Sequence, residues 1–179
     1  MARSEVTIDL GALRRNVARL LEALGGAELW AVVKADGYGH GAVDCGRAAL
    51  DAGATALCLA TVAEAVEVRT ALPEARIIVF GLTDEVARAR EARLELCVGE
   101  NVPEGVPVHV KLDTGMGRWG VSELRAPQRN VVGLMTHLAT ADNDPEFARR
   151  QIERFRAATE QYAHLTRHVA NSAAALRLP

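Results

Sequence analysis

The feature that most constrains this chain is a repeated alternation of short apolar runs with stretches of helical spacing. The apolar runs lie at 29–33, 56–60, 77–80, 94–98, 106–110, 131–135 and 168–170, and helix-like stretches fill 41–52, 62–71, 84–92 and 145–165. Brief runs alternating with helices define βαβ units and a parallel sheet. Ahead of them, Val6-Thr7-Ile8 reads as a further short strand. Asp9 stands where a helix N-cap would, before an apolar face of Leu10, Leu13, Val17, Leu20, Leu21 and Leu24, and Gly25-Gly26 ends that helix.

Residues able to do chemistry follow the runs: Lys34 after the first, Asp113 and Arg118 after the fifth, His137 after the sixth, Asn171 and Ser172 after the seventh. In a (β/α)8 barrel, the C-terminal strand ends make one face, and active sites sit there. The reading is therefore an α/β protein with a TIM-type barrel that is shortened, with about seven core strands and no eighth, in one domain over residues 1–179. Two connections are too short for a normal parallel crossover. About eight residues separate Val98 from Pro107, with the turn chemistry of 99–105 between them, where roughly a dozen are needed. The segment 121–130 is broken by Pro127 and holds at most a turn or two of helix. Bare strand edges in such a barrel would invite a partner.

Composition narrows the class. A chain of 179 residues with 49% hydrophobic content can bury a core. A net charge of -2 argues against a nucleic-acid surface, and Arg14-Arg15 and Arg149-Arg150 read as solvated helix faces. Cys45, Cys58 and Cys97 are odd in number and far apart, which fits small buried residues in a reducing compartment better than a metal or disulfide framework. No signal peptide and no membrane-length apolar run are evident, so a cytoplasmic protein with no membrane partner is expected.

The most informative stretch is Val32-Val-Lys-Ala-Asp-Gly-Tyr-Gly-His-Gly41. A lysine at the end of a buried strand is costly as a free charge, and a depressed pKa there would free the amine for a Schiff base. The glycines let backbone bend closely around a ligand, and Tyr38 adds a hydroxyl.

That stretch is very similar to the cofactor-lysine signature of alanine racemases. Three more segments resemble the family in the same order: Val110-Lys-Leu-Asp-Thr-Gly-Met-Gly-Arg-Trp-Gly120, Gly133-Leu-Met-Thr-His-Leu-Ala-Thr-Ala-Asp142 and His168-Val-Ala-Asn-Ser-Ala-Ala-Ala-Leu176. The resemblance implies pyridoxal 5'-phosphate held as a Schiff base by Lys34, with Lys34 also the base on one face of the substrate carbon. It implies Tyr38 and Ser172 on the cofactor phosphate, Asn171 supporting that turn, and His137 near the pyridine ring. It implies Arg118 beside the phenolic oxygen and the substrate carboxylate, and Lys111 at a position carbamylated in some members. It further implies interconversion of L- and D-alanine for cell-wall peptidoglycan and a homodimer; no metal is expected, because the cysteines and histidines lack ligand spacing. In the family, the second base and a second, mostly β domain come from segments not found in this chain. The alternative is therefore a pyridoxal-phosphate-binding module, or a racemase fragment without turnover.

Other roles stay open on the residues alone. Asp113 and Thr114 either cap a turn or support the site. His137 is either a core histidine or a site residue. His109 reads as structural, His164 and His168 as surface or packing residues, and Trp30 and Trp119 as packing.

Overall fold

The structure is a computed structural model and describes residues 4–125 and 128–178. Helix α1 (Leu10–Leu24) begins where Asp9 accepts from the Ala12 amide and ends at Gly25, whose φ of 58° is the left-handed conformation of a helix stop. Val6–Ile8 is not a strand: it is exposed, irregular chain ahead of α1, with no sheet partner among the described residues.

Seven strands follow: β1 (Trp30–Val32), β2 (Ala56–Leu59), β3 (Ile77–Val79), β4 (Glu95–Val98), β5 (Val108–Lys111), β6 (Val131–Met135) and β7 (Thr166–His168). They form one sheet in sequence order, each pair parallel. The connecting helices are α2 (Lys34–Gly39), α3 (Ala42–Asp51), α4 (Val62–Ala71), α5 (Val86–Glu91) and α6 (Pro145–Thr159), with a 3-10 turn at Glu160–Tyr162 and α7 (Ser172–Arg177) after β7. This is a shortened TIM-type barrel, as the alternation implied.

The sheet curls. Trp30 on β1 and His168 on β7, its two edge strands, bring their ring centroids to 4.4 Å. Alternate residues consequently face two environments. Outward, Leu57, Leu59, Ile77, Val79, Leu96, Val108 and Leu134 pack against the helices in the main core. Inward, Ala56, Cys58, Ile78, Cys97 and Met135 form a smaller cluster with Trp30, Phe80 and Trp119. All three cysteines are free and buried.

No helix connects β4 to β5, and 112–130 contains only turns and one isolated bridge, Leu112 to Val121, among its described residues; Pro127 lies outside these. Arg69 fixes the turns below the sheet: its guanidinium donates to the carbonyls of Ala92, Pro73, Ala75 and Arg93. The seventh strand lies earlier than the run 168–170, because Thr166 pairs with Gly133 and the chain leaves the sheet after His168 to enter the Asn171 cap of α7. The long final helix ends at Thr159 rather than at residue 165, where the chain tightens into the 3-10 turn.

Candidate active site

Lys34 leaves β1 into a turn wound the wrong way. Ala35, Asp36, Gly37 and Tyr38 all have φ between 50° and 63°. Left-handed helical geometry costs an L-residue roughly 1–2 kcal/mol, and three of the four are not glycine. Gly37 accepts the geometry freely, and a Cβ there would press to 3.2 Å of the Ala42 amide nitrogen. Hydrogen bonds hold the turn: Gly37 N–H donates to the Val33 carbonyl (2.9 Å), Gly41 N–H to the Asp36 carbonyl (2.8 Å) and Ala42 N–H to Asp36 Oδ1 (2.8 Å). The Ala35 amide donates to Glu64 Oε1 at 3.0 Å. The turn presents the Lys34 side chain to solvent, with Nζ 5.9 Å from the centre of the exposed Tyr38 ring. Lys34 itself is thus exposed at the end of β1.

The buried lysine is Lys111, 1% exposed, at the end of β5. Its ammonium donates to the Trp119 carbonyl and lies 4.7 Å from the Trp119 ring centre. Burial lowers its pKa, and the Arg118 charge adds to the effect against the pull of Asp113. Asp113 caps the loop: its carboxylate accepts from the amides of Gly115, Met116 and Gly117. Burial opposes ionisation of Asp113, but these amides outweigh it and hold its pKa down. Arg118 projects from the same loop, exposed. Thr114 faces inward, its hydroxyl 2.8 Å from that of Thr136.

At the end of β6, His137 is half-buried, and its pKa is lowered first by burial and then by the charges of Arg118, Lys111 and Lys34. Three cations from the ends of β1 and β5 therefore add to burial in disfavouring protonation of one imidazole. Gln151 of α6 is wholly buried and braces this end of the barrel: its amide nitrogen donates to the His137 carbonyl (3.2 Å) and its oxygen accepts from Ala139 N–H (2.9 Å).

Beneath these residues lies a polar layer. Arg76 grips both oxygens of Glu95 at 2.7 and 2.9 Å and stands 4.7 Å over the Trp30 ring. Glu95 Oε2 is 2.7 Å from His109 Nε2, and His109 Nδ1 is 3.1 Å from His168 Nε2. A carboxylate only accepts, so His109 Nε2–H donates to it, and one N–H bridges His109 Nδ1 and His168 Nε2. Burial holds the His168 pKa well below 6.5, and the nearby His109 reinforces it. His168 is thus a barrel-interior residue, not a surface one, whereas His164 is exposed.

Asn171 caps α7 by accepting from Ala174 N–H at 2.9 Å. Ser172, the first residue of α7, is exposed and faces α1 across a cleft lined by Asn16, Arg19 and Leu176. The structure thus gathers Lys34, Lys111, Arg118 and His137, sets Tyr38 beside Lys34, and joins Asn171 and Ser172 to that cluster by no hydrogen bond among the described residues. Sequence reasoning missed Glu64, Gln151 and the Arg76–Glu95–His109 layer. The T-x-x-E spacing of Thr61 and Glu64 signalled at least a capping box. A second unread signal was that the 21 basic residues include just two lysines, Lys34 and Lys111, both of which reach this site.

The strands and helices curl into a shortened βα-barrel with cations and an exposed primary amine at its C-terminal strand ends, and this defines a βα-barrel protein, the class whose sites lie at that face. Residues 8–179 match the family model described as alanine racemase, N-terminal domain. The chain is 41% identical over 206 residues to the alanine racemase of Beutenbergia cavernae, covering 97% of this chain and 54% of that protein. Its fold matches the structure of alanine racemase from Streptomyces coelicolor A3(2) with a TM-score of 0.83 at 38% identity, covering 96% of this chain and 55% of that one. It also matches alanine racemase from Bacillus anthracis with bound L-Ala-P, with a TM-score of 0.80 at 28% identity over 98% and 55% of the two chains. The chain belongs to the alanine racemase N-terminal domain family. It spans about half the length of the curated relatives it matches. A match of 206 residues to nearly all of a 179-residue chain means that the relative carries residues inside the matched region that this chain lacks. The helix-free β4–β5 and β5–β6 connections accord with that.

Proposed function

We propose that this protein acts as the barrel portion of a pyridoxal 5'-phosphate-dependent alanine racemase, with Lys34 holding the cofactor covalently. The observation that carries the reading is the placement of Lys34, Lys111, Arg118 and His137 at and after the C-terminal ends of β1, β5 and β6 in a chain of this family. The donor set fits the group: an exposed amine, an adjacent phenol, a fixed guanidinium and an imidazole whose protonation is disfavoured. When bound, pyridoxal phosphate supplies an electron sink that stabilises charge at the carbon beside the substrate amine.

This chain's residues divide the remaining work. Lys34 carries a proton to or from one face of that carbon, since its flexible stem and exposed amine can reach it. Arg118 cannot lose its proton and offers a permanent cation to the phenolic oxygen and the substrate carboxylate. Lys111, buried behind the Arg118 loop and bonded to the Trp119 carbonyl, supports that loop. His137, whose protonation burial and the nearby cations disfavour, would lie by the pyridine ring. The Tyr38 and Ser172 hydroxyls bind phosphate, and Asn171 fixes the Ser172 turn by capping α7. The reaction served is the interconversion of L- and D-alanine, which feeds peptidoglycan, and the working assembly is a homodimer. Among the described residues no helix is long and apolar enough to cross a membrane, and the proposed location is the cytoplasm.

The test adds pyridoxal phosphate, records the visible absorption band, reduces with borohydride and maps the adduct by peptide mass. An adduct on Lys34, abolished in Lys34→Ala, is expected; D-alanine formation from L-alanine then reports turnover. A folded sample that labels elsewhere, or not at all, overturns the assignment of Lys34.

A further inference from the structure

We infer that Glu64 is a positioning residue for Lys34: its carboxylate clamps the left-handed turn that carries the lysine. The inference draws its chemical importance from the reading of Lys34 as the cofactor lysine, but the clamp itself is a matter of geometry.

Four successive left-handed residues, three with side chains, form a disfavoured conformation that persists only where surrounding contacts enforce it. The other hydrogen bonds described for 34–39 stay within residues 33–42, at Gly37, His40, Gly41 and Ala42. The bond from Ala35 N–H to Glu64 Oε1, 3.0 Å, is the described bond that ties the turn to a residue beyond Ala42. Glu64 is well placed to hold it. Its second oxygen accepts from Ala60 N–H at 2.9 Å and Thr61 N–H at 3.3 Å, while its own amide donates to Thr61 Oγ1 at 3.2 Å. That capping box fixes the carboxylate at the start of α4, directly after β2, and β2 is the strand paired with β1. One side chain thus spans the exits of two neighbouring strands. The amide it holds belongs to the residue immediately after Lys34, so the clamp sets where the lysine stem begins. Ordinary capping does not require this second arm.

Three variants of the full chain separate the roles. Glu64→Ala removes both arms. Glu64→Asp keeps the charge at the helix start but is one methylene too short to span to Ala35. Thr61→Ala weakens the capping box and leaves Glu64 in reach of Ala35. The first readout is hydrogen exchange of the Ala35 amide, which needs no cofactor. The second is the rate of borohydride trapping of pyridoxal phosphate at Lys34. Losing a charged acceptor should speed Ala35 exchange about ten- to a hundredfold in both Glu64 variants. Misplacing the lysine should slow trapping by about tenfold or more. Thr61→Ala should change neither, even where it lowers the melting temperature as far as Glu64→Asp does. The clamp is overturned if Ala35 exchange is unchanged in Glu64→Ala, or if Thr61→Ala matches Glu64→Asp in both readouts at equal stability. If the wild-type chain traps no cofactor on Lys34, the cofactor reading falls, and Ala35 exchange alone decides the clamp.

Discussion

Replacing Glu95 with glutamine should cost this protein about 3 kcal/mol at neutral pH, and the loss should disappear in acid. Glu95 lies inside the barrel on β4 with its side chain 17% exposed. Burial works against its charge, but the hydrogen bonds from His109 and Arg76, together with the Arg76 charge, prevail and hold its pKa from 4.5 down to about 2. At about 1.4 kcal/mol per pH unit, that difference corresponds to about 3 kcal/mol of folding free energy. Between pH 4.5 and about 2, the unfolded chain binds a proton that the folded chain refuses. The stabilisation is therefore complete above pH 4.5 and is lost as pH falls through about 2. Glutamine keeps an oxygen for Arg76. Its NH2 takes the place of the other oxygen and meets an Arg76 N–H donor, so the change removes the charge together with one Arg76 hydrogen bond. The assay is urea unfolding of both proteins at pH 7, 5, 4 and 3, supported by a thermal melt in which the loss appears as about 6–12 °C in a domain of this size. A difference below about 1 kcal/mol at pH 7, or one that does not shrink with acid, would refute the view that the Arg76–Glu95–His109 layer holds the barrel through its charge.

Two further outcomes follow from close contacts in the same interior. Gly133 on β6 faces His109, and a Cβ there would overlap the imidazole, so Gly133→Ala should cost about 1–3 kcal/mol in a denaturant titration. Combining it with His109→Ala should recover part of that loss, and strict additivity would show that the two do not meet. At the site, Lys111→Met removes one of the cations that depress His137, so the His137 pKa should rise toward 6.5 when followed by NMR. A fall, or no movement, would place Lys111 too far away to act on it.

The polar interior layer also supports the curl of a sheet whose two edge strands are unpaired with each other among the described strands. The Trp30, His109 and His168 rings meet across the gap between β1 and β7. The chain Arg76–Glu95–His109–His168 links the residue before β3 to β4, β5 and β7 by side chains where backbone pairing between the edges is absent among the described strands. Such a network works because each member has a partner, and no buried side-chain nitrogen or oxygen among the described residues lacks one.

The sequence by itself determined the parallel α/β order, the positions of the seven strands to within about two residues, and the chemistry at strand ends. These are local properties: run length, period and punctuation are written in neighbouring residues. The Asp9 and Gly25 boundaries of α1 are of that kind, as is the exact match of 62–71 to α4. Tertiary structure alone decided which lysine is buried, because burial depends on how far the sheet curls and on what loop folds over a strand end. Lys111 lies under the Trp119 loop, whereas Lys34 stands exposed beside the β1 edge. It also decided that His168 joins His109 rather than the surface, a contact between residues 59 apart in sequence. The left-handed winding of Ala35–Tyr38 was invisible for a related reason: alanine, aspartate and tyrosine do not favour that geometry, and bonds such as the one from Glu64, 29 residues away from Ala35, impose it.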